Sequence, residues 1–278
     1  QFAAFLAKNR SDLRGNSLSE QTYQLIAKRY INQQVQAYEP WSGSYLGIGK
    51  ISDAFMCEEI NNLVFNIEGL SHLQPGTPIA FSDKLNIEDD LISAQLDNVI
   101  SAAMIIYLYQ NGFQGTAFFT AQEEAGKSWR YVYEWFRKNK VTTNELLVLD
   151  TSPYDTRVEA EVQHIVLRNR DANARFKSPV LKQLKNFCHK NEINFSCKDT
   201  FIQEKNKVRK EKNLPLLTLG STELGRIVME SKGSIQGATL QIPTTGYHTV
   251  EETASIKAVK SILYILSSLY IDKKPNIK

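Results

Sequence analysis

Carboxylates gathered at one edge of a protein with a histidine among them can hold a cation or move a proton. The candidates in this sequence are Asp97, the adjacent pair Glu123 and Glu124, Asp150 and His248. Crowded carboxylates repel one another and need a cation to justify their closeness. Carboxylates with one imidazole per metal suit zinc, cobalt or manganese. Taken singly, each residue has a plainer reading. Asp97 can cap a helix, and the Glu123-Glu124 pair can open a solvated loop. Asp150 ahead of Thr151-Ser152-Pro153 can form a turn, and His248 can sit satisfied at the surface.

What distinguishes them is where the expected elements put them. Beyond Leu91 the pattern alternates strands and helices. Val99 to Tyr109 reads as an apolar helix, followed by the turn Asn111-Gly112. Gly115 to Thr120 reads as a short apolar strand, and Trp129 to Lys138 as a helix with Trp129, Val132, Tyr133 and Phe136 on one face. Strands are expected at Glu145 to Leu149, His164 to Leu167 and Ala238 to Ile242, and a closing helix from about Glu252 to Tyr270. Ser178 caps a helix that opens with Pro179 and buries Val180, Leu181, Leu184 and Phe187. Alternation with uninterrupted apolar strands predicts an α/β fold, its mostly parallel sheet covered by helices on both faces. In such sheets functional groups collect beyond the carboxyl ends of the strands. The first strand runs into Glu123-Glu124, the second ends at Asp150, the last leads over Pro243 and Gly246 to His248, and Asp97 opens the helix near Val99.

Ahead of this lie two other textures. Residues 1–40 read as helical, first around Phe2, Phe5 and Leu6, then, after Gly15-Asn16, from Ser19 or Glu20 to about Tyr38, where Pro40 stops the helix. Residues 41–90 read as a small β-rich subdomain, with β-like runs at Tyr45 to Ile48, Leu63 to Ile67 and Pro78 to Phe81 and a turn at Gln74-Pro75-Gly76. Residues 91–278 read as an α/β domain, the one expected to be catalytic.

The 278 residues carry a net charge of +3 spread along the chain. Lys205, Lys207, Arg209, Lys210 and Lys212 are interleaved with Glu204 and Glu211, which reads as a solvated face and not a nucleic-acid site. Cys57, Cys188 and Cys197 form neither a disulfide framework nor a CxxC pair, so a reducing, cytoplasmic setting is expected. No apolar run reaches the roughly 18 residues a membrane helix needs, so no membrane partner is expected.

In order along the chain, these segments resemble the M42 family of metallo-aminopeptidases. Leu73-Gln74-Pro75-Gly76-Thr77-Pro78-Ile79-Ala80-Phe81 resembles the family's PGDPV-F segment. Gln95-Leu96-Asp97-Asn98 resembles its LDD or LDN motif opening a helix, and Thr120-Ala121-Gln122-Glu123-Glu124-Ala125-Gly126 its QEE motif followed by glycine. Leu147-Val148-Leu149-Asp150 with Asp155, Gly220-Ser221-Thr222-Glu223, and Ile242-Pro243-Thr244-Thr245-Gly246-Tyr247-His248 resemble its later motifs. The resemblance implies a cytoplasmic hydrolase that removes N-terminal residues from peptides, uses two divalent metal ions (zinc, with cobalt or manganese as alternatives), and forms homo-oligomers. It implies that Asp97 bridges the metals, Glu124 binds one, and Asp150 and His248 complete the two sites. Glu123 is then the general base and acid that activates a metal-bridging water and protonates the leaving amine.

The sequence departs from the family pattern in several places. The family's first ligand is the histidine of an H-x-D motif, which does not occur here; His72 lies beside the PGTP segment, and His164 and His189 read as structural. Either that ligand lies before Gln1 in a longer chain or one metal site is incomplete. Val99 and Ser101 depart from the helix-opening pattern, Glu223 replaces an aspartate, and residues 1–72 show no match. Two alternatives therefore stand beside the aminopeptidase: a pseudoenzyme or binding subunit with an incomplete metal site, and a related metal-dependent amide deacylase.

Overall fold

The segment Ile235–Thr244 is almost uniformly apolar or small, and in a computed structural model of the chain it forms a strand buried along nearly its whole length, covered on both faces. The structure describes residues 20–57, 62–74, 76–82 and 84–271. The helix expected around Phe2, Phe5 and Leu6, its break at Gly15-Asn16, and Pro75 lie outside the described residues. Contacts divide the molecule into two units. One takes the chain as far as Lys84 together with Glu124–Gly126; the other takes Leu85–Glu123 and the chain from Lys127 onward.

In the first unit, helix α1 (Glu20–Tyr30) is followed by strands β1 (Gln34–Tyr38), β2 (Tyr45–Cys57), β3 (Asn62–Glu68) and β4 (Ile79–Phe81). They form an antiparallel sheet in the order β3-β2-β1-β4. The helix expected to reach Tyr38 stops at Tyr30. Asn32 takes a left-handed φ of 71°, and Val35 and Ala37, alternating with exposed or half-buried neighbours, turn into the sheet. Residues with helical spacing up to Tyr30 thus give way to a period of two. Tyr30 packs edge-on to Phe65 and stacks on Phe81, over Val35, Ala37, Ile51 and Leu70.

In the second unit the order is β5 (Asn86–Glu88), β6 (Leu91–Ala94), α2 (Val99–Gln110), α3 (Ser128–Asn139), β7 (Thr143–Pro153), α4 (Arg157–Glu161), β8 (Ile165–Leu167), α5 (Pro179–Lys190), β9 (Phe195–Cys197), α6 (Lys198–Glu211), α7 (Glu223–Glu230), β10 (Ile235–Thr244), β11 (Glu252–Ser255) and α8 (Ile256–Tyr270). The main sheet runs β7-β10-β8-β9, and a second, antiparallel sheet runs β11-β6-β5. The fold is mixed α/β, but the sheets are not mostly parallel. β7–β10 and β8–β9 are parallel, whereas β8 meets β10 antiparallel at the single pair Gln241 and Val166. The apolar runs reveal that the strands are buried and leave their direction open.

The structure departs from two further expectations. Gly115 to Thr120 forms no strand; Phe118 turns its ring onto Trp135 and Phe136, so side-chain packing against α3 anchors the segment in place of a backbone ladder. The closing helix begins at Ile256, because Glu252–Ser255 pairs with β6 as β11, and Ser255 then caps the helix by accepting from Ala258 N–H. The expected cap at Ser178 is present, its hydroxyl accepting from Val180 N–H, and the helix buries Val180, Leu181, Leu184 and Cys188, with Phe187 half-buried. The core of this unit gathers Leu167, Leu184, Leu240, Ile242, Ile262 and Ile265.

Candidate functional site

Antiparallel pairing brings the two most separated candidates together. Ala94 at the end of β6 lies opposite Glu252 at the start of β11. The chain leaving β6 through residues 95–98 therefore runs beside the chain entering β11 through residues 246–251. Asp97 sits on the first loop and His248 on the second, and His248 Nε2 lies 3.2 Å from Asp97 Oδ2. Both side chains are half-buried, and both point a potential ligand atom into the same small region. The second loop is shaped by Gly246 at φ 70° and His248 at φ 58°, and the Tyr247 ring stacks on the imidazole at 3.5 Å between centroids. A methyl on Gly246 would lie 2.8 Å from the Glu251 carbonyl, so the turn needs glycine there.

Glu252 fastens the two loops. It is 2% exposed, and its two oxygens accept from Asp97 N–H at 2.7 Å and His248 N–H at 2.6 Å. Burial raises its pKa, and the two backbone donors oppose that rise. From sequence, Glu252 is expected at the start of a helix, where a solvated glutamate is ordinary. Only the pairing of β6 with β11 reveals its task.

Asp150 arrives from β7. It lies three residues inside the strand and not at its end, in register with Gln241 of β10. Asn98 Nδ2 donates to the Leu149 carbonyl at 2.7 Å, which ties the Asp97 loop to this part of β7. Desolvation pushes the Asp150 pKa well above the usual carboxylate range, and the Asp97 and Glu123 carboxylates push it further. The Thr151 N–H and the Arg168 guanidinium oppose this rise. Asp97, Glu123, Asp150 and His248 thus belong to one electrostatic neighbourhood. Glu123 is exposed in the loop between α2 and α3, just after Gln122 at φ 65°. Glu124, half-buried, groups with the first unit together with Ala125 and Gly126.

The remaining motif residues have structural tasks. Thr222 caps α7, its hydroxyl accepting from Gly225 N–H, and Asp171 accepts from both the N–H and the hydroxyl of Thr222. Glu223 accepts from the Thr120 hydroxyl at 3.3 Å. Asp155 pairs with Lys205 at the surface. His189 packs edge-on to Phe195, and His164 donates its backbone N–H to Asn194 just ahead of β8.

The donor set fits a divalent cation. The Asp97 and Glu123 carboxylates that act on Asp150, an imidazole beside Asp97, and a further buried carboxylate holding the loops form a site whose charge a small cation relieves.

A model of the M42 glutamyl aminopeptidase family matches residues 66–265. Among solved structures, the chain is similar to the TET aminopeptidase of a Thaumarchaeota archaeon from marine sediment, at 16% identity and a TM-score of 0.62, covering 88% of this chain and 72% of that one. It is also similar to an aminopeptidase of Desulfurococcus kamchatkensis, at 12% identity and a TM-score of 0.62, covering 88% and 70%. The TET1 peptidase of Pyrococcus horikoshii, described as assembling into a tetrahedron or a large octahedral shell, matches at 16% identity and a TM-score of 0.60, covering 88% and 74%. At these identities the structural likeness speaks for the fold alone. No curated protein matches the chain.

Proposed function

The chain belongs to the M42 glutamyl aminopeptidase family and is a hydrolase of the peptidase class, and from that premise we propose that it is a metal-dependent aminopeptidase acting through Glu123. The observation that carries the proposal is the pairing of Asp97 with His248 at 3.2 Å, in the electrostatic neighbourhood of Asp150 and Glu123. Asp97 and His248 are the residues we assign to a first cation, and Asp150 to a second. Glu124 is assigned as a ligand from its place in the QEE motif, and the catalytic domain is assigned to residues 91–278. Zinc is the favoured ion, with cobalt or manganese as alternatives.

Bound cations polarise a scissile carbonyl and make a water acidic at neutral pH. The chain's own contribution is the proton path and the frame that holds it. Glu123, exposed on its loop, takes a proton from the attacking water and returns it to the leaving amine. Glu252 keeps the Asp97 and His248 loops at fixed separation, so that the ligand atoms are set before an ion arrives. Asn98 does the same between the Asp97 loop and β7.

The substrates are peptides with a free N-terminus. The assemblies described for the Pyrococcus TET1 peptidase support a homo-oligomer. A cytoplasmic setting is in keeping with three unpaired cysteines, and among the described residues no helix is long and apolar enough to cross a membrane. A second reading is a binding subunit with an incomplete metal site, since among the described residues the ligand-capable cluster is Asp97, Glu124 and His248 and does not include Asp150.

Aminoacyl-anilide hydrolysis with added zinc or cobalt, paired with elemental analysis of the protein, separates the two readings. Glu123→Gln is expected to keep its ions and lose turnover by about 100-fold or more. Absence of turnover in the cation-loaded wild type would favour the binding subunit.

A further inference from the structure

Beyond α6 the chain crosses the surface in an extended segment that joins no sheet. Residues 214–219 contain neither turn nor bend, and left-handed residues bound them, Asn213 at φ 52° and Gly220 at φ 71°. Side chains hold the segment along one edge. The Asn206 amide accepts from Leu217 N–H at 2.8 Å and donates to the Leu217 carbonyl at 2.8 Å, the two bonds a neighbouring strand would make. Arg209 Nε donates to the Pro215 carbonyl at 2.6 Å, and Arg168 Nη1 to the Leu219 carbonyl at 2.7 Å. Pro215, Leu217 and Leu219 thus turn their carbonyls inward, and the missing N–H of Pro215 costs no bond on the outer edge.

In an extended chain the intervening residues point the other way. The N–H and C=O groups of Leu216 and Thr218 therefore face outward, and they meet no hydrogen-bond partner among the described residues. Leu214, Leu216 and Thr218 share one exposed face, with the two leucines 46% and 58% exposed, whereas Leu217 and Leu219 are half-buried. An edge of this kind is where a further strand adds.

Charge decides what that strand carries. Lys210, four residues after Asn206, lies on the side of α6 that faces the segment, and Lys212 stands two residues before Leu214. Both are exposed, as is Lys207, and none of the three makes an ion pair among the described residues. Glu211 is the only acidic residue between positions 205 and 212. A second copy of this chain laid along the edge would set these ammonium groups against their own counterparts, whereas an acidic strand meets opposite charge.

We propose that the outer edge of residues 214–219 is a docking edge for an extended acidic segment of a partner protein, whose alternate apolar side chains cover Leu214 and Leu216. Asn206, Arg209 and Arg168 already hold the inner edge, so little ordering of this chain opposes docking. None of these residues is assigned to a cation or to proton transfer, so the docking edge stands apart from the peptidase reading.

The test uses a short peptide of alternating glutamate and valine, acetylated and amidated at its ends, and its lysine–valine counterpart. Each carries a fluorophore for anisotropy against the full chain, and amide hydrogen exchange of the chain is followed in parallel. The acidic peptide is expected to bind at least about tenfold more tightly than the basic one and to slow exchange at Leu216 and Thr218 by about tenfold or more. Thr218→Pro removes an outward N–H, and Lys210→Glu combined with Lys212→Glu reverses the charge; each change is expected to weaken binding by about tenfold or more. Should Thr218→Pro fail to fold, the acidic peptide methylated on its backbone nitrogens decides with the wild-type chain: loss of binding supports pairing through the edge, and undiminished binding overturns it. Equal binding of the acidic and basic peptides, no binding of either, or unchanged exchange at Leu216 and Thr218 overturns the proposal. Protection of the same amides that rises with chain concentration in the absence of peptide assigns the edge to a second copy and overturns the acidic partner.

Discussion

At the scale of single residues, the sequence points to five candidates because their types suit one chemistry and their expected places fall at one sheet edge. Asp97 and His248 meet within 3.2 Å although 151 positions separate them. The residue that fastens their loops was not legible. Glu252 acquires its task only from strand pairing, and nothing in its local sequence distinguishes it from a solvated glutamate. Glu252 gives a direct test. A glutamine there keeps one acceptor oxygen for two N–H donors, so Glu252→Gln is expected to loosen the bound cation by about 10-fold or more and to cost about 1–3 kcal/mol of stability. Cobalt titration and denaturant unfolding measure the two effects. Lys198 supplies a test unconnected with the cation. Its buried amine lies 3.5 Å from the Tyr154 ring centroid and donates to the Pro153 carbonyl. Burial, then the charges of Arg168 and Lys205, push its pKa down to about 7. Below that pH the folded state carries the full penalty of a buried ammonium. Between about 7 and about 10.4 the unfolded chain binds more protons, so stability rises with pH; above that window the penalty is gone. Relative to Lys198→Met, the wild type should therefore gain on the order of 2–4 kcal/mol across the window. Parallel pH profiles of the two proteins would sink this account.

At the scale of elements, helices were read well where a cap and an apolar stripe agreed, as at Ser178 and Pro179 ahead of α5. The reading failed where tertiary pairing overrode local pattern. Gln34–Tyr38, expected as the end of a helix, alternates with a period of two and joins a sheet, and Gly115 to Thr120 has the composition of a strand yet is anchored by the Phe118 ring. The direction of β8 was equally invisible, since a short apolar run is buried the same way whichever way it points. The joint between the Asp171 loop and α7 shows how closely elements are fitted. A methyl on Gly225 would lie 1.9 Å from Asp171 Oδ2, the oxygen that accepts from the Thr222 N–H and hydroxyl. Gly225→Ala is expected to displace that carboxylate and cost about 1–3 kcal/mol, with Ser178→Ala costing about 1 kcal/mol by loss of the α5 cap. Thermal unfolding of each variant measures these costs, and an unchanged midpoint for Gly225→Ala would contradict the close fit.

At the scale of the whole molecule, the mixed α/β architecture and the family were both readable from ordered motifs spread along the chain, none of them specific alone. The repulsion that Asp97 and Glu123 exert on Asp150 makes a molecular prediction: a cation that binds only the folded chain should stabilise it. At a hundredfold excess over the dissociation constant the gain is about 2.7 kcal/mol, visible as a raised thermal midpoint that a chelator reverses. The central claim, an aminopeptidase with Glu123 as its proton carrier, is tested most directly by one paired measurement. The cation-loaded chain is given a short peptide and the same peptide with its N-terminus acetylated, and release of the first residue is followed by mass spectrometry. The account predicts release from the free-amine peptide, little from the acetylated one, and none from either with a Glu123→Gln variant that still holds its ions. Equal cleavage of both peptides, or undiminished cleavage by Glu123→Gln, would contradict it.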